Sequence, residues 1–224
     1  MVETEAVGTP PTVAHHPATA HHFEDLEQQQ EASQLGMWIF LATEMLFFGG
    51  LFVSYTIYRL AYPNVFVEAS RYLDVVLGTI NTGVLLTSSL TVALAVHYAQ
   101  RQRQREPTYL FLATLVLGLV FLSIKGWEYF HKFEEGLIPG PNFQWTGPAA
   151  GPAQLFFFLY FVMTGLHALH MIIGIGVGSV MAWFIWRGRY LADYMPVELF
   201  GLYWHFVDIV WVFLFPLLYL VHRA

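Results

Sequence analysis

Two ionisable side chains lie three residues apart in a segment that is otherwise apolar and aromatic. His205 and Asp208 belong to the run from Tyr203 to Trp211, whose other members are tyrosine, tryptophan, phenylalanine, valine and isoleucine. An ionisable group inside hydrocarbon is costly to keep, so such groups usually have a function. At this spacing both side chains are expected on one face of a helix. There they can bond to each other or to a neighbouring helix, and proton relay or haem ligation is the chemistry open to them.

Other ionisable side chains also lie within apolar segments. Glu44 is about ten residues into the first of these, which at ~1.5 Å per residue places it ~15 Å deep, near the midplane of a bilayer. His167 and His170 share one face of a helix, as do Lys125 and Glu128. Hydrogen bonds between helices are the default interpretation for the two histidines. For Lys125 and Glu128 the default is a structural ion pair near the membrane interface.

The composition is that of an integral membrane protein. Hydrophobic residues make up 56% of the 224 residues and charged residues only 12%, whereas a soluble domain carries about 25% charged residues. The absence of cysteine excludes disulfides and thiolate metal sites. The net charge of -6 does not support nucleic-acid binding.

Five segments are apolar over the roughly 20 residues that a membrane-spanning helix needs. We therefore predict an all-α polytopic membrane protein, a bundle of five transmembrane helices. The predicted spans are about 34–58, 75–98, 108–130, 154–186 and 197–221. Residues 1–33 have no apolar period and predict a polar flexible N-terminal tail, ahead of a transmembrane domain over 34–224.

Basic residues between the spans predict the orientation, because they favour the cytoplasmic side of a membrane. Arg101, Arg103 and Arg105 lie between the second and third spans, and Arg187 and Arg189 between the fourth and fifth. This distribution predicts a cytoplasmic N-terminus and a C-terminus outside. The first residues lack the pattern of a cleaved signal, so we expect the first span to direct insertion.

Five motifs, in order along the chain, resemble subunit III of the haem-copper terminal oxidases (the cytochrome c oxidase subunit 3 family). They are Glu44 to Gly50, Ile80 to Leu86, Glu128-Tyr129, Thr164 to Gly174, and Tyr203 to Trp211. Long members of this family have seven helices, and the five predicted spans resemble its short form, in which the N-terminal pair is absent. The related proteins associated with nitric oxide reductases have similar motifs.

The resemblance implies a non-catalytic accessory subunit of a respiratory, proton-pumping cytochrome c oxidase. Haem and copper are then expected on the partner subunits I and II, and this chain carries no catalytic, cofactor-binding or metal residues of its own. The resemblance further implies direct packing on subunit I, bound phospholipid, and support for proton uptake and sustained turnover in aerobic electron transport. A small subunit IV and a respiratory supercomplex are further expected partners, and a bacterial plasma membrane is the expected location.

The same resemblance gives the polar side chains structural roles. The members of the implied buried polar framework are Glu44, Asn81, His167, His170, His205 and Asp208. Lys125 and Glu128 are predicted, from their spacing and position, to form an interfacial ion pair. Arg187 and Arg189, just after the fourth span, are candidates for contacts with phospholipid head groups.

Two hypotheses from other classes of protein stay open on the residues alone. His170 and His205 together would suit a b-type haem, which would make the chain an electron carrier. Glu44 and Asp208 would suit the relay of a proton-coupled transporter, although inverted repeats and broken helices, which are typical of transporters, are not visible. Within the same superfamily, a quinol oxidase or a nitric oxide reductase system is the nearer alternative.

Overall fold

The computed structural model describes residues 26–103, 105–187 and 194–223, and all regular elements in this part of the chain are helical. The elements are α1 (Leu26–Ala61), α2 (Pro63–Ser70), α3 (Val75–Gln100), α4 (Arg105–Glu134), α5 (Ala150–Trp186), α6 (Met195–Tyr219) and a final 3₁₀ turn (Val221–Arg223). Within the described ranges, five helices are long and apolar enough to cross a membrane, namely all but α2. The prediction of an all-α fold with five spans is confirmed.

The structure corrects the predicted boundaries around the first span. Because α1 begins at Leu26, residues 26–33 are helical and do not belong to a flexible tail. The remainder of the predicted tail, residues 1–25, lies outside the described residues. The short helix α2 has no counterpart in the prediction, since eight residues are too few to give a clear hydropathy signal. Its buried side chains include Val65 and Phe66, which anchor it against the bundle.

Local sequence signals explain where two of the long helices begin. The Asp74 carboxylate accepts hydrogen bonds from the backbone N–H groups of Val76 (2.8 Å) and Leu77 (3.1 Å), and so caps the start of α3. Pro196 is the second residue of α6, where a missing N–H removes no helical hydrogen bond. These two helices then run side by side through the bundle.

Four helices form the centre of the bundle and α1 lies at its edge. α3 packs along α4 and α6, and α5 packs against the same two helices. In the most apolar stretch of α6, 50% of the residues are buried, against 11% in α1. α6 is therefore the internal helix, and the polar residues of its central motif face other helices more than lipid.

The outer surface of the bundle is apolar along each spanning helix. Large exposed side chains include Leu46 on α1, Val76 on α3, Tyr109 on α4, Ile172 on α5 and Phe213 on α6. A soluble protein rarely exposes apolar side chains over so much of its surface. The exterior of the bundle thus fits a hydrocarbon environment.

Two glycines on α5 allow its close approach to neighbouring helices. A Cβ atom on Gly174 would lie 3.1 Å from the Trp204 ring. A Cβ atom on Gly178 would lie 2.8 Å from both Leu115 Cδ2 and Phe200 Cζ. These contacts are tighter than ordinary van der Waals contacts, so the small residues fix how near α4 and α6 lie to α5.

We predict that Gly178→Val lowers stability by about 1–3 kcal/mol, because the added atoms overpack the contact among α4, α5 and α6. Gly176→Val is the matched control, since a Cβ atom at Gly176 meets no atom within 4 Å. Thermal denaturation of the detergent-solubilised protein, followed by circular dichroism, measures both. Equal melting temperatures for the two variants would show that the close approach at Gly178 is unimportant.

Candidate functional site

A lysine lies inside the bundle with acceptors from three helices around it. The Lys125 ammonium donates to Glu128 Oε2 on the same helix (3.0 Å), to the Tyr160 hydroxyl on α5 (3.0 Å) and to the Tyr219 hydroxyl on α6 (2.7 Å). The side chains of Lys125 and Glu128 are only 4% and 3% exposed. The ion pair that the sequence predicts is thus present, and the bundle encloses it.

The two tyrosines close the cluster around Glu128. Tyr160 and Tyr219 donate their hydroxyl protons to Glu128 Oε1, at 2.9 and 2.6 Å. The ammonium of Lys125 also lies 5.0–5.4 Å from four aromatic rings, which adds cation–π attraction. All three N–H donors of the lysine thus have acceptors, and both carboxylate oxygens of Glu128 accept. We call these four residues (Lys125, Glu128, Tyr160 and Tyr219) the lysine cluster.

Glu44 and His170 form a second pair, between α1 and α5. His170 Nε2 lies 3.1 Å from Glu44 Oε2, and His170 Nδ1 lies 2.8 Å from the Leu166 carbonyl oxygen. A carbonyl can only accept, so Nδ1 carries the proton and donates. The contact at Nε2 is therefore either a protonated Glu44 donating to neutral histidine or an ion pair. The Phe48 ring packs on the imidazole, with 5.4 Å between centroids.

Three members of the predicted framework have polar atoms without a hydrogen-bond partner among the described residues. They are His167 (both ring nitrogens), Asp208 (both carboxylate oxygens) and Asn81 (the amide oxygen). The imidazole of His167 instead packs against the rings of Phe121 and Trp211, at centroid distances of 5.4 and 5.2 Å. The Asn81 amide nitrogen reaches the Phe121 carbonyl oxygen at 3.5 Å.

His205 bonds across to α3 rather than to Asp208 on its own helix. Its Nδ1 lies 2.7 Å from the Ser89 hydroxyl oxygen. Neither carboxylate oxygen of Asp208, one turn further along α6, has a hydrogen-bond partner among the described residues. The structure thus joins His205 to α3 and His170 to α1, while Asp208 has no such bond.

Of the two candidate lipid-binding arginines, Arg187 lies within the described residues. The guanidinium carbon of Arg187 lies 4.4 Å from the centre of the Trp183 ring. An arginine stacked on a tryptophan at a helix end is a common arrangement at membrane interfaces. Arg189 lies outside the described residues.

An apolar groove of about 560 Å³ runs between α1 and α6. Its walls include Leu41, Phe48 and Gly49 from α1, and Phe206 and Phe213 from α6. His205 is the ionisable residue in this wall. The volume of the groove lies in the range of ligand pockets, ~300–1,000 Å³, and the groove lining suits an aliphatic ligand.

The motifs described above lie within a stretch that matches a known family. Residues 17–222 match the family model described as cytochrome c oxidase subunit III. The chain belongs to this family. Two relatives, in Staphylococcus aureus (strain USA300) and Staphylococcus haemolyticus (strain JCSC1435), are each described as a probable quinol oxidase subunit 3. They are 31% and 29% identical to the chain, over 85% of its length and 90% of theirs.

Membership of the subunit III family makes the chain a multi-pass membrane component of a haem-copper oxidase, and so of an oxidoreductase complex. In this subunit III both ring nitrogens of His170 have contacts within the chain, one with the Leu166 carbonyl and the other with Glu44.

Sequence reasoning on this subunit III missed Tyr160, Tyr219 and Ser89, which complete the polar clusters. A tyrosine in a membrane span is easily assigned to the aromatic belt at the interface. A buried tyrosine hydroxyl needs a hydrogen-bond partner. That requirement is the one signal that would place such a tyrosine inside the bundle. The partner itself lies on another helix, so the sequence does not identify it.

We predict that Lys125→Met destabilises the subunit by about 3–5 kcal/mol, because it leaves Glu128 buried without its counter-charge. A second substitution, Glu128→Gln in the same chain, should restore part of this loss. Arg71→Met is the control, since the side chains of Arg71 and its partner Glu68 are 60% and 42% exposed. Thermal denaturation gives the double-mutant cycle, and additive losses for Lys125 and Glu128 would contradict the coupling.

Proposed function

We propose that this chain is a non-catalytic accessory subunit of a respiratory haem-copper oxygen reductase, packed directly on subunit I. The observation that carries this proposal is that two pairs of ionisable side chains inside the bundle bond within the chain, Glu44 with His170 and Lys125 with Glu128. Within the part of the chain that the structure describes, no three histidine, aspartate or glutamate side chains could hold a metal ion. A catalytic metal needs such converging ligands and an open position. Haem and copper are then carried by subunits I and II.

The accessory role that we propose is support for proton uptake and for sustained turnover of a proton-pumping complex. The complex works in the aerobic respiratory chain of a bacterial plasma membrane, with the N-terminus of this subunit in the cytoplasm and its C-terminus outside. A small subunit IV and a respiratory supercomplex are further proposed partners. The lysine cluster supports such a role, because its hydrogen bonds tie α4, α5 and α6 together beside a neighbouring subunit.

The electron donor of the complex is either cytochrome c or a quinol. The family is described by cytochrome c oxidase, whereas the two relatives are described as probable quinol oxidase subunits. The donor site belongs to other subunits, so no residue of this chain distinguishes the two. Oxygen consumption by the purified complex, with each donor in turn, decides between them.

We further propose that the groove between α1 and α6 holds an acyl chain of a phospholipid. Its lining is apolar over both helices, which matches a hydrocarbon chain. Arg187 at the end of α5 is a candidate for a separate contact with an anionic head group. The bound lipid would fill space that the helix packing leaves open.

For the accessory role, we predict that Glu44→Ala leaves the reduced-minus-oxidised haem spectrum of the complex unchanged and shortens its lifetime during turnover. The substitution leaves His170 Nε2 without its partner, which costs about 1–3 kcal/mol. Thr43→Ala is the control, because the exposed Thr43 hydroxyl bonds only to the Phe40 carbonyl of its own helix. Loss of haem from the Glu44→Ala complex would contradict a non-catalytic role.

For the lipid, we predict that Gly49→Leu lowers the amount of phospholipid that co-purifies with the complex. The new side chain would fill the groove, and a Cβ atom at Gly49 meets no atom within 4 Å. Gly50→Leu is the matched control, because its position is equally open and lies outside the groove lining. Mass spectrometry of the intact complex counts the bound lipids. Equal lipid content in both variants would remove the groove as the site.

A further inference from the structure

An open recess of about 550 Å³ lies between the start of α4 and the end of α5. Its walls are Arg105, Thr108, Tyr109 and Leu112 from α4, and Trp186 from α5. Both helices are membrane-spanning, and the recess lies where one begins and the other ends. The surface of the bundle changes there from polar to apolar, which is the level of the lipid head groups in a bilayer.

The charge of Arg105 in this recess has no counter-ion. In the part of the chain that the structure describes, Arg105 forms no ion pair, whereas the neighbouring Arg103 lies 3.7 Å from Glu106. None of the residues that line the recess is acidic. Arg187, which stacks on Trp183 at the end of α5, adds a second positive charge at this level. A guanidinium group presents its N–H donors in a planar fork that matches the oxygens of a phosphate group.

The lining of the recess changes in character with depth along α4. Arg105 is the first residue of the helix, and Leu112 lies seven residues further, ~10 Å deeper. Between these levels the rings of Tyr109 and Trp186 are 69% and 66% exposed. The order of cation, amphipathic ring and aliphatic side chain matches the phosphate, glycerol ester and acyl chain of a phospholipid. An inorganic phosphate ion would use only the first of these levels.

We propose that this recess binds an anionic phospholipid, with the head-group phosphate at Arg105 and the first part of an acyl chain over Leu112. Basic recesses between spanning helices are typical sites for anionic head groups. The inference deepens the proposed lipid binding and rests on it, but the site is a different one. The groove between α1 and α6 has no arginine or lysine in its lining, so it does not select among head groups.

A comparison with the opposite end of the bundle supports the preference for an anion. A recess of about 430 Å³ at that end also contains basic side chains, Arg71 and Lys132. There each is paired with a carboxylate, Arg71 with Glu68 and Lys132 with Glu135, and Asp74 is a further acidic wall. The positive charges of that recess are therefore balanced within the chain, while the charge of Arg105 is not.

The test uses the purified complex in nanodiscs that contain equal amounts of phosphatidylglycerol and phosphatidylethanolamine. Native mass spectrometry then counts each lipid that stays bound. Arg105→Gln should lower the ratio of bound phosphatidylglycerol to phosphatidylethanolamine about fivefold, because it removes the unpaired charge. Arg103→Gln is the matched control, since it removes the same charge from an exposed ion pair outside the recess and should change the ratio little. An equal fall in both variants would overturn the proposal, because it would show an effect of net charge alone.

A second pair of variants tests the lower part of the recess without a change in charge. Leu112→Trp should reduce bound phosphatidylglycerol, because the larger ring fills the space for the acyl chain. Leu119→Trp is the control on the same helix, since Leu119 is similarly exposed and lies outside the recess. An excess of inorganic phosphate should displace no lipid, and displacement would overturn the assignment to a phospholipid.

The outcome at Arg105 is independent of the other proposals. Gly49→Leu tests the groove between α1 and α6, and the haem spectrum tests the accessory role, and neither involves this recess. An unchanged lipid ratio in Arg105→Gln would therefore overturn this site alone.

Discussion

Lys125 places a positive charge inside an apolar helix bundle, and the packing of three helices follows from that charge. Glu128 supplies the counter-charge from the same helix, at 3.0 Å. Tyr160 and Tyr219 each accept from the lysine and donate to the glutamate, because a phenol can do both. An incomplete cluster would leave a buried charge unmatched, so the rotation and depth of α5 and α6 against α4 are fixed together.

The aromatic residues of α6 extend this constraint towards the other end of the bundle. The indole N–H groups of Trp204 and Trp211 donate to the Ser88 and Thr82 hydroxyls on α3, each at 3.1 Å. The Tyr203 hydroxyl donates to the His170 carbonyl oxygen on α5 at 2.8 Å. Each of these large rings thus packs in the bundle, and its N–H or O–H group donates a hydrogen bond to a specific neighbouring helix. The motif from Tyr203 to Trp211 suggests chemistry in the sequence. In the structure it also fixes the position of α6 against α3 and α5.

The sequence predicts those features that depend on neighbouring residues or on average composition. Hydropathy gives the five spans, and helical spacing gives the contact of Lys125 with Glu128. Partners on other helices are not predictable in this way, because Glu44 and His170 are 126 positions apart. Hydropathy also does not predict the short helix α2 or the helical start of α1, and here the reason is different. The residues at the start of α1 are mostly polar, and α2 has only eight residues.

The buried polar groups towards the two ends of the bundle differ in how completely they are hydrogen-bonded. At the Lys125 end the charges and hydroxyl groups bond to one another across α4, α5 and α6. At the Glu198 end His205 bonds to Ser89 on α3, and Asp208 has no hydrogen-bond partner among the described residues. A protein selected for stability alone would replace an unbonded buried carboxyl by an apolar side chain, since that removes a penalty. The lysine cluster at the other end ties α4, α5 and α6 together, so the bundle tolerates the unbonded carboxyl within it.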